Sequence, residues 1–343
     1  MTSHSKRWWW KSRTDFGDNI LDIPEHKAYS LIVSEHATLR DAILYFAEFE
    51  HCKEFMVDLR WPDGKVKCPE CGSEKVCYLA KNRVWKCYAT HPKPRFTLKT
   101  GTIFEDSPIP LEKWLPAVWM LLNCKNGISS WELHRAIGVT QKTAWFMLHR
   151  IRLAMQSKTF NKLGGEGGSE VEVDETFVGG KMKNMHRSRK GEVQKEYGQK
   201  GAKAIVLGML ERGGTVRTAV IEERTKKAMQ PIIRENVEQG SLICSDEFGP
   251  AWSMDSEYTH EFINHLEAHV RDNIHTNGME NFWSLLKRTV HGTYVAVEPF
   301  YLFRYVDEQA FRYNNRNMDD LQRFVFGMRH IIGRCLTYAE VDR

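Results

Sequence analysis

Three carboxylates in this 343-residue chain sit in settings suited to holding metal ions. Asp174 lies in Val171-Glu172-Val173-Asp174-Glu175-Thr176, and Asp246 follows Ser241-Leu242-Ile243-Cys244-Ser245. Glu280 lies in His275-Thr276-Asn277-Gly278-Met279-Glu280-Asn281-Phe282-Trp283. The first two end short apolar runs that read as strands, and the third begins an amphipathic helix. Carboxylates carried on separate strands and a helix can converge on a pair of hard cations, which take oxygen ligands and handle phosphate. The chemistry this predicts is the cutting and rejoining of a nucleic-acid backbone. Glu172 has the parity of Asp174 and is expected on the same sheet face, whereas Glu175 and Glu247 adjoin the aspartates and point away. Asn277, one turn before Glu280, is the alternative third ligand through its neutral amide oxygen. Glu280, Trp283, Ser284 and Lys287 share one helix face. Lys287 is therefore a candidate phosphate contact, while Phe282, Leu285, Leu286 and Thr289 can pack inward.

A second cluster suits a softer ion. Cys68-Pro69-Glu70-Cys71-Gly72 is a turn that presents two thiolates to one metal, and Cys87 is followed by His91. Zinc takes four tetrahedral nitrogen and sulfur ligands, so Cys68, Cys71, Cys87 and His91 are expected to form a Cys3His zinc ribbon, with Cys77 as the alternative ligand. Lys67, Trp85 and Lys86 flank the two pairs, as basic and aromatic residues do in nucleic-acid-binding ribbons. Only Cys68 and Cys71 of the eight cysteines form a CxxC pair, which points to a metal site with leftover buried thiols and away from a disulfide framework.

Other elements must position these groups. Leu39, Ala42, Ile43, Phe46 and Phe49 fit a helical stripe between Ser34 and Phe55. Leu111 to Met155 is helical again, with Gly138-Val139-Thr140 as a turn and Thr140 as the N-cap of a helix that buries Ala144, Leu148 and Ile151. Two helices joined by a short turn have the form of a helix-turn-helix. Its second helix would show Gln141, Lys142, Trp145 and His149 to base edges, with Arg150 and Arg152 beside them for phosphates. Gly164-Gly165-Glu166-Gly167-Gly168 reads as a flexible linker. Beyond it come a strand over Glu170–Val178, a hairpin of Ala204–Leu210 and Val216–Ile221, a helix over Lys226–Val237 and a strand over Leu242–Ser245. Helices around Gly278–Thr289 and Tyr301–Tyr313 follow. Three strands, a helix and a fourth strand bearing an acid is the order of an RNase H-like domain.

The predicted class is thus multidomain α/β, with a mixed-sheet catalytic domain behind a zinc ribbon and a helical region. The expected boundaries are an unassigned segment 1–33, a helical segment 34–60, a ribbon 61–105, a helix-turn-helix region 106–160, a linker 161–169, a catalytic domain 170–325 and a tail 326–343.

Net charge is +5, with 27% charged and 42% hydrophobic residues, an ordinary globular balance. The charge is unevenly placed: Lys181, Lys183, Arg187, Arg189, Lys190, Lys195, Lys200 and Lys203 face only Glu192 and Glu196 in their segment. Such a run favours a polyanionic partner through phosphate contacts and counterion release. No run approaches the roughly 18–20 apolar residues that span a bilayer, and the N-terminal Trp8-Trp9-Trp10-Lys11 lacks the apolar core of a signal peptide. The expected location is a bacterial cytoplasm, at the nucleoid, with a nucleus as the alternative.

Cys68-Pro69-Glu70-Cys71-Gly72, Gly101-Thr102-Ile103-Phe104-Glu105-Asp106-Ser107 and Ala136-Ile137-Gly138-Val139-Thr140-Gln141-Lys142-Thr143-Ala144-Trp145 closely resemble insertion-sequence DDE transposases with an N-terminal zinc ribbon. So do Val173-Asp174-Glu175-Thr176-Phe177-Val178-Gly179-Gly180-Lys181 and His275-Thr276-Asn277 with Phe282-Trp283-Ser284-Leu285-Leu286-Lys287-Arg288. The group includes relatives of the eukaryotic Merlin elements, and the resemblance covers roughly residues 35–320. It implies an RNase H-like catalytic domain, two Mg2+ or Mn2+ ions beside structural zinc, and double-stranded transposon-end and target DNA as partners. It also implies that Asp174 and Asp246 are the first two catalytic acids and Glu280 or Asn277 the third ligand. A homodimer or larger assembly is expected, because two ends must be processed together. The alternatives are a domesticated DNA-binding protein without catalysis and another RNase H-like nuclease.

Overall fold

The computed structural model describes residues 38–156, 161–165, 170–179, 191, 203–246, 254, 257–263, 275–295 and 297–341. The unassigned segment 1–33 lies outside them, as do Glu247 and the basic positions Lys181, Lys183, Arg187, Arg189 and Lys190.

The chain opens with α1 (Leu39–Phe46) and α2 (Phe49–Arg60). The single stripe expected over 34–55 is therefore two helices. Thr38 starts the first with a capping box, its hydroxyl accepting from the Asp41 N–H while the Asp41 carboxylate accepts from the Thr38 N–H. A small antiparallel sheet follows, β1 (Val76–Leu79), β2 (Val84–Cys87) and β3 (Arg95–Phe96). Next come α3 (Leu111–Asn123), α4 (Ser130–Ile137) and α5 (Gln141–Met155). Ser129 and Glu132 form the capping box of α4, Gly138 ends it in the left-handed region at φ 63°, and the Thr140 hydroxyl accepts from the Thr143 N–H to start α5.

The second half is built on β4 (Val171–Val178), β5 (Ala204–Glu211), β6 (Val216–Ile221), β7 (Leu242–Asp246) and β8 (Thr259–Ile263), in the order β6-β5-β4-β7-β8. β4 runs antiparallel to β5 and parallel to β7. Strand alternation divides the apolar residues between two faces. Val171, Val173, Leu207 and Met209 pack with Met229 and Ile233 of α6 (Lys226–Asn236). Val178, Val206 and Leu210 pack on the other face with Met279, Phe282, Trp283 and Leu286 of α7 (Asn277–Thr289) and with Leu302 and Val306 of α8 (Leu302–Asn314). The mixed sheet between helices is the predicted RNase H-like arrangement, and β8 is an edge strand that the sequence did not announce. The supposed linker is partly docked, since Leu163 is buried in the sheet core and bridges to Val237.

The chain then crosses back. α9 (Asp320–Arg329) places Phe324 against Phe46, Phe55 and Trp119, and the short α10 (Tyr338–Val341) follows it. The Ile103 N–H donates to the Ile331 carbonyl at 3.1 Å and the Gly333 N–H to the Gly101 carbonyl at 2.9 Å. Residues 326–341 are thus part of the N-terminal helical core and do not form the tail predicted over 326–343. Segments 34–60 and 106–160, expected as separate units, share this same core.

Candidate active site

The Cys68-to-Cys71 turn closes as metal-binding knuckles do. The Gly72 N–H donates to the Cys68 carbonyl at 2.8 Å, and Gly72 takes φ 72°, which suits glycine. Cys87 ends β2 and His91 lies four residues on, so the thiols of Cys68, Cys71 and Cys87 and one His91 ring nitrogen all fall within 4.8 Å of one another. Cys71 Sγ is 3.7 Å from Cys87 Sγ, and Cys68 Sγ is 3.5 Å from His91 Nε2. Zinc with bonds of about 2.3 Å to sulfur and about 2.0–2.1 Å to nitrogen makes tetrahedral edges of about 3.8 and 3.6 Å. The four donors therefore fit structural zinc, as the sequence predicted. Cys77, the alternative ligand, is exposed on β1 and pairs in register with Lys86, away from the cluster. Wild-type protein should carry about one zinc per chain and Cys71→Ala should lose it, as measured by metal analysis after dialysis. Full zinc occupancy in Cys71→Ala would exclude this ligand set.

On the large sheet, Glu172 and Asp174 alternate with Val171 and Val173, so both carboxylates rise on the α7 face. Asp174 and Asp246 each follow a paired residue, Val173 and Ser245, on neighbouring parallel strands. Asp174 Oδ1 accepts the Glu175 N–H at 2.7 Å, and Oδ2 accepts the Trp283 indole N–H at 2.8 Å. Trp283 is therefore buried against the sheet, although helical spacing puts it on one face with the exposed Glu280. Room for its ring comes from Gly208, the β5 partner of Asp174: a Cβ there would lie 2.7 Å from Trp283 Cζ2. Asn277, Glu280 and Lys287 are exposed on α7, with Glu280 in its first turn.

Glu172 has a different task from its neighbour. It is 1% exposed, and its Oε2 accepts the Met279 N–H at 2.8 Å, one of the N–H groups left open at the start of α7. Its Oε1 takes Arg212 Nε at 3.1 Å, while the same guanidinium bonds the His275 carbonyl at 2.8 Å. Burial pushes the Glu172 carboxyl up to about 7, against the pull of the Met279 and Gly278 N–H donors. Its bonds are committed to the helix start and to Arg212. Parity placed Glu172 on the correct face; the contact with α7 had no sequence signal.

Two regions of the chain match family models. Residues 162–314 match the ISXO2-like transposase domain, and residues 50–90 match the transposase zinc-ribbon domain. A transposase-like protein of Haemophilus influenzae is 31% identical over 101 residues, which cover 29% of this chain and 81% of that protein. This chain belongs to the ISXO2-like transposases. A protein in the transposable element ISH50 of Halobacterium salinarum is 25% identical over 253 residues, 71% of this chain and 83% of that one. No helix among the described residues of this transposase is long and apolar enough to cross a membrane.

The surface predicted to read DNA is narrower than the sequence implied. In the transposase, Lys142 is exposed near the start of α5, its ammonium 4.8 Å from the Tyr338 ring centre. Gln141 donates to the Ser130 hydroxyl at 2.8 Å and Trp145 is half-buried. His149 and Arg150, however, are interior. His149 has no exposed surface and packs among Trp145, Tyr301 and Tyr305, and burial pushes its ring down to about 2, so it stays neutral. Arg150 donates to the Leu336 carbonyl at 2.9 Å and to those of Ile103 at 3.0 Å and Glu105 at 2.6 Å. Arg152 is 1% exposed and reaches Glu308 of α8 at 2.6 Å. Only the first turns of α5 remain open to a partner.

Proposed function

We propose that this transposase binds the terminal repeats of its own element and catalyses metal-dependent DNA end cleavage and strand transfer. The observation that supports this reading is that β4 pairs with β7 on one side and holds α7 through Glu172 and Asp174. Asp174 and Asp246 sit at equivalent positions on adjacent parallel strands, and the helix bearing Glu280 and Asn277 is held to Asp174 through Trp283. These hard oxygen donors fit Mg2+ or Mn2+, with Asp174 and Asp246 as ligands and Glu280, or the Asn277 amide, completing the set. Such ions supply Lewis-acid polarisation of phosphoryl oxygens and charge neutralisation in an in-line displacement. The chain's part is to fix the carboxylates before DNA arrives: Trp283 and the Glu175 N–H orient Asp174, and Glu172 holds the start of α7. Lys287, two turns beyond Glu280, offers a charge to phosphate.

DNA contact is assigned to the zinc ribbon, to Gln141, Lys142 and Trp145 at the start of α5, and to the basic segment containing Lys181, Lys183, Arg187, Arg189 and Lys190. His149 and Arg150 drop out as contacts because they are consumed inside the protein. A dimer or larger assembly on DNA follows from the need to process two ends together, and the nucleoid of a bacterial cytoplasm is the place for it.

The test is cleavage and strand transfer on DNA carrying the element's ends, with Mg2+ or Mn2+, comparing wild type with Asp246→Asn. Metal-dependent nicking at the ends that disappears in Asp246→Asn is the expected result. Tight end binding with no nicking under either metal would point to the non-catalytic alternative.

A further inference from the structure

We infer that Trp283 is a positioning residue for the metal site, its indole N–H fixing Asp174 as a ligand; the inference rests on the metal-dependent reading given above. Three features meet at this one contact. The Trp283 N–H donates to Asp174 Oδ2 at 2.8 Å from a ring that is 4% exposed, so water competes little for the bond. The cross-strand neighbour of Asp174 is Gly208, and any Cβ there would press on both Trp283 and Met279. Finally, β4 grips α7 at two heights: Glu172 takes the Met279 N–H and Asp174 takes the Trp283 indole, with Glu280 between those two helix positions.

The chemistry of the donor matters. An arginine or lysine in this place would orient Asp174 equally well but would cancel the charge that attracts a cation. Indole is a neutral donor with no acceptor nitrogen and no accessible proton equilibrium. It therefore fixes the carboxylate without adding a positive charge that would offset it. Outer partners that orient a ligating group typically govern metal affinity by roughly 10–100-fold. The same bond ties that orientation to the helix carrying Glu280, so the first and third ligands are set by one side chain.

The experiment measures Mn2+ binding directly, from the spin-resonance signal of the free ion, in wild type, Trp283→Phe and a protein with benzothienylalanine at position 283. That last side chain keeps the bicyclic shape and replaces the N–H by sulfur, so it removes the donor without opening a cavity. Zinc content and the thermal midpoint of each protein are recorded alongside. The expected result is Mn2+ binding weakened roughly 10–100-fold in both variants, with zinc unchanged and the benzothienylalanine protein's midpoint lowered only modestly by the lost bond. Mn2+ affinity within twofold of wild type in the benzothienylalanine protein would overturn the inference, even if Trp283→Phe were unstable. Wild-type protein that neither binds Mn2+ nor cleaves DNA would instead overturn the metal-dependent reading itself.

Discussion

Asp174→Asn should lower end cleavage by roughly 10²–10³-fold or more, the scale of removing a group that acts directly on developing charge, while end binding stays near wild type. The loss follows from two separate features of the site. Asparagine carries no negative charge, so the proposed hard ligand is replaced by a weaker neutral one. The replacement is not silent for the fold either. Two N–H donors, from Glu175 and Trp283, each use a different oxygen of Asp174, and an amide has only one oxygen to offer. One donor loses its acceptor, at a cost of about 1–3 kcal/mol, so a modest fall in thermal midpoint should accompany the loss of cleavage. Cleavage and binding are read on the same labelled end fragment, by gel and by fluorescence anisotropy. Full cleavage by Asp174→Asn would remove it from the catalytic set.

The largest effect on stability is expected from Glu308→Leu. Glu308 has no exposed surface, and Arg152 from α5, Arg312 from the next turn of α8 and the Tyr294 hydroxyl all converge on its carboxylate. Burial alone would favour the neutral acid, but the two guanidinium groups hold it below the usual carboxylate range. Arg152 is wedged over the Tyr305 ring at 3.9 Å, and Gly127 leaves the gap that Tyr294 and Glu308 occupy. Removing the carboxylate strands two buried cations, which costs about 3–5 kcal/mol, a large part of the 5–15 kcal/mol typical of a folded domain. Chemical denaturation measures this directly. Replacing Arg152 and Arg312 by Met together with Glu308→Leu should recover most of the loss, because no unpaired charge then remains. A single-variant loss under about 1 kcal/mol would mean that water reaches the cluster.

The parts of this molecule that were legible in the sequence are those written in local pattern. The CxxCG knuckle and the later Cys87 and His91 named all four clustered donors, because thiolate spacing is itself the geometry of the site. Alternating residues in β4 told which side chains share a face, and the hairpin between β5 and β6 was marked by its glycines. The illegible parts depend on distant partners. Arg150 looked like a phosphate contact because its acceptors are carbonyls at 103, 105 and 336, invisible from the helix that carries it. The burial of Trp283 was hidden because helical spacing cannot foresee that Gly208, on a strand far earlier, leaves a slot for an indole. β8 escaped notice because Thr259, His260 and Glu261 give an edge strand little apolar signal. Residues 326–343 read as a tail because nothing local reports that Met328 and Ile331, just after Phe324, complete the helical core begun by Phe46 and Phe55.

That last arrangement sets the timing of the protein's birth. The helical core made first keeps places for Phe324, Val325, Met328 and Ile331, which are synthesised roughly two hundred residues after its α3 helix. The large sheet packs on cores of its own, yet Phe46, Phe55 and Trp119 stay uncovered until residues near 331 emerge. An unfinished copy, or one cut short before α9, exposes apolar surface and falls to aggregation or proteolysis. Only a chain extended beyond Ile331 acquires a closed helical core.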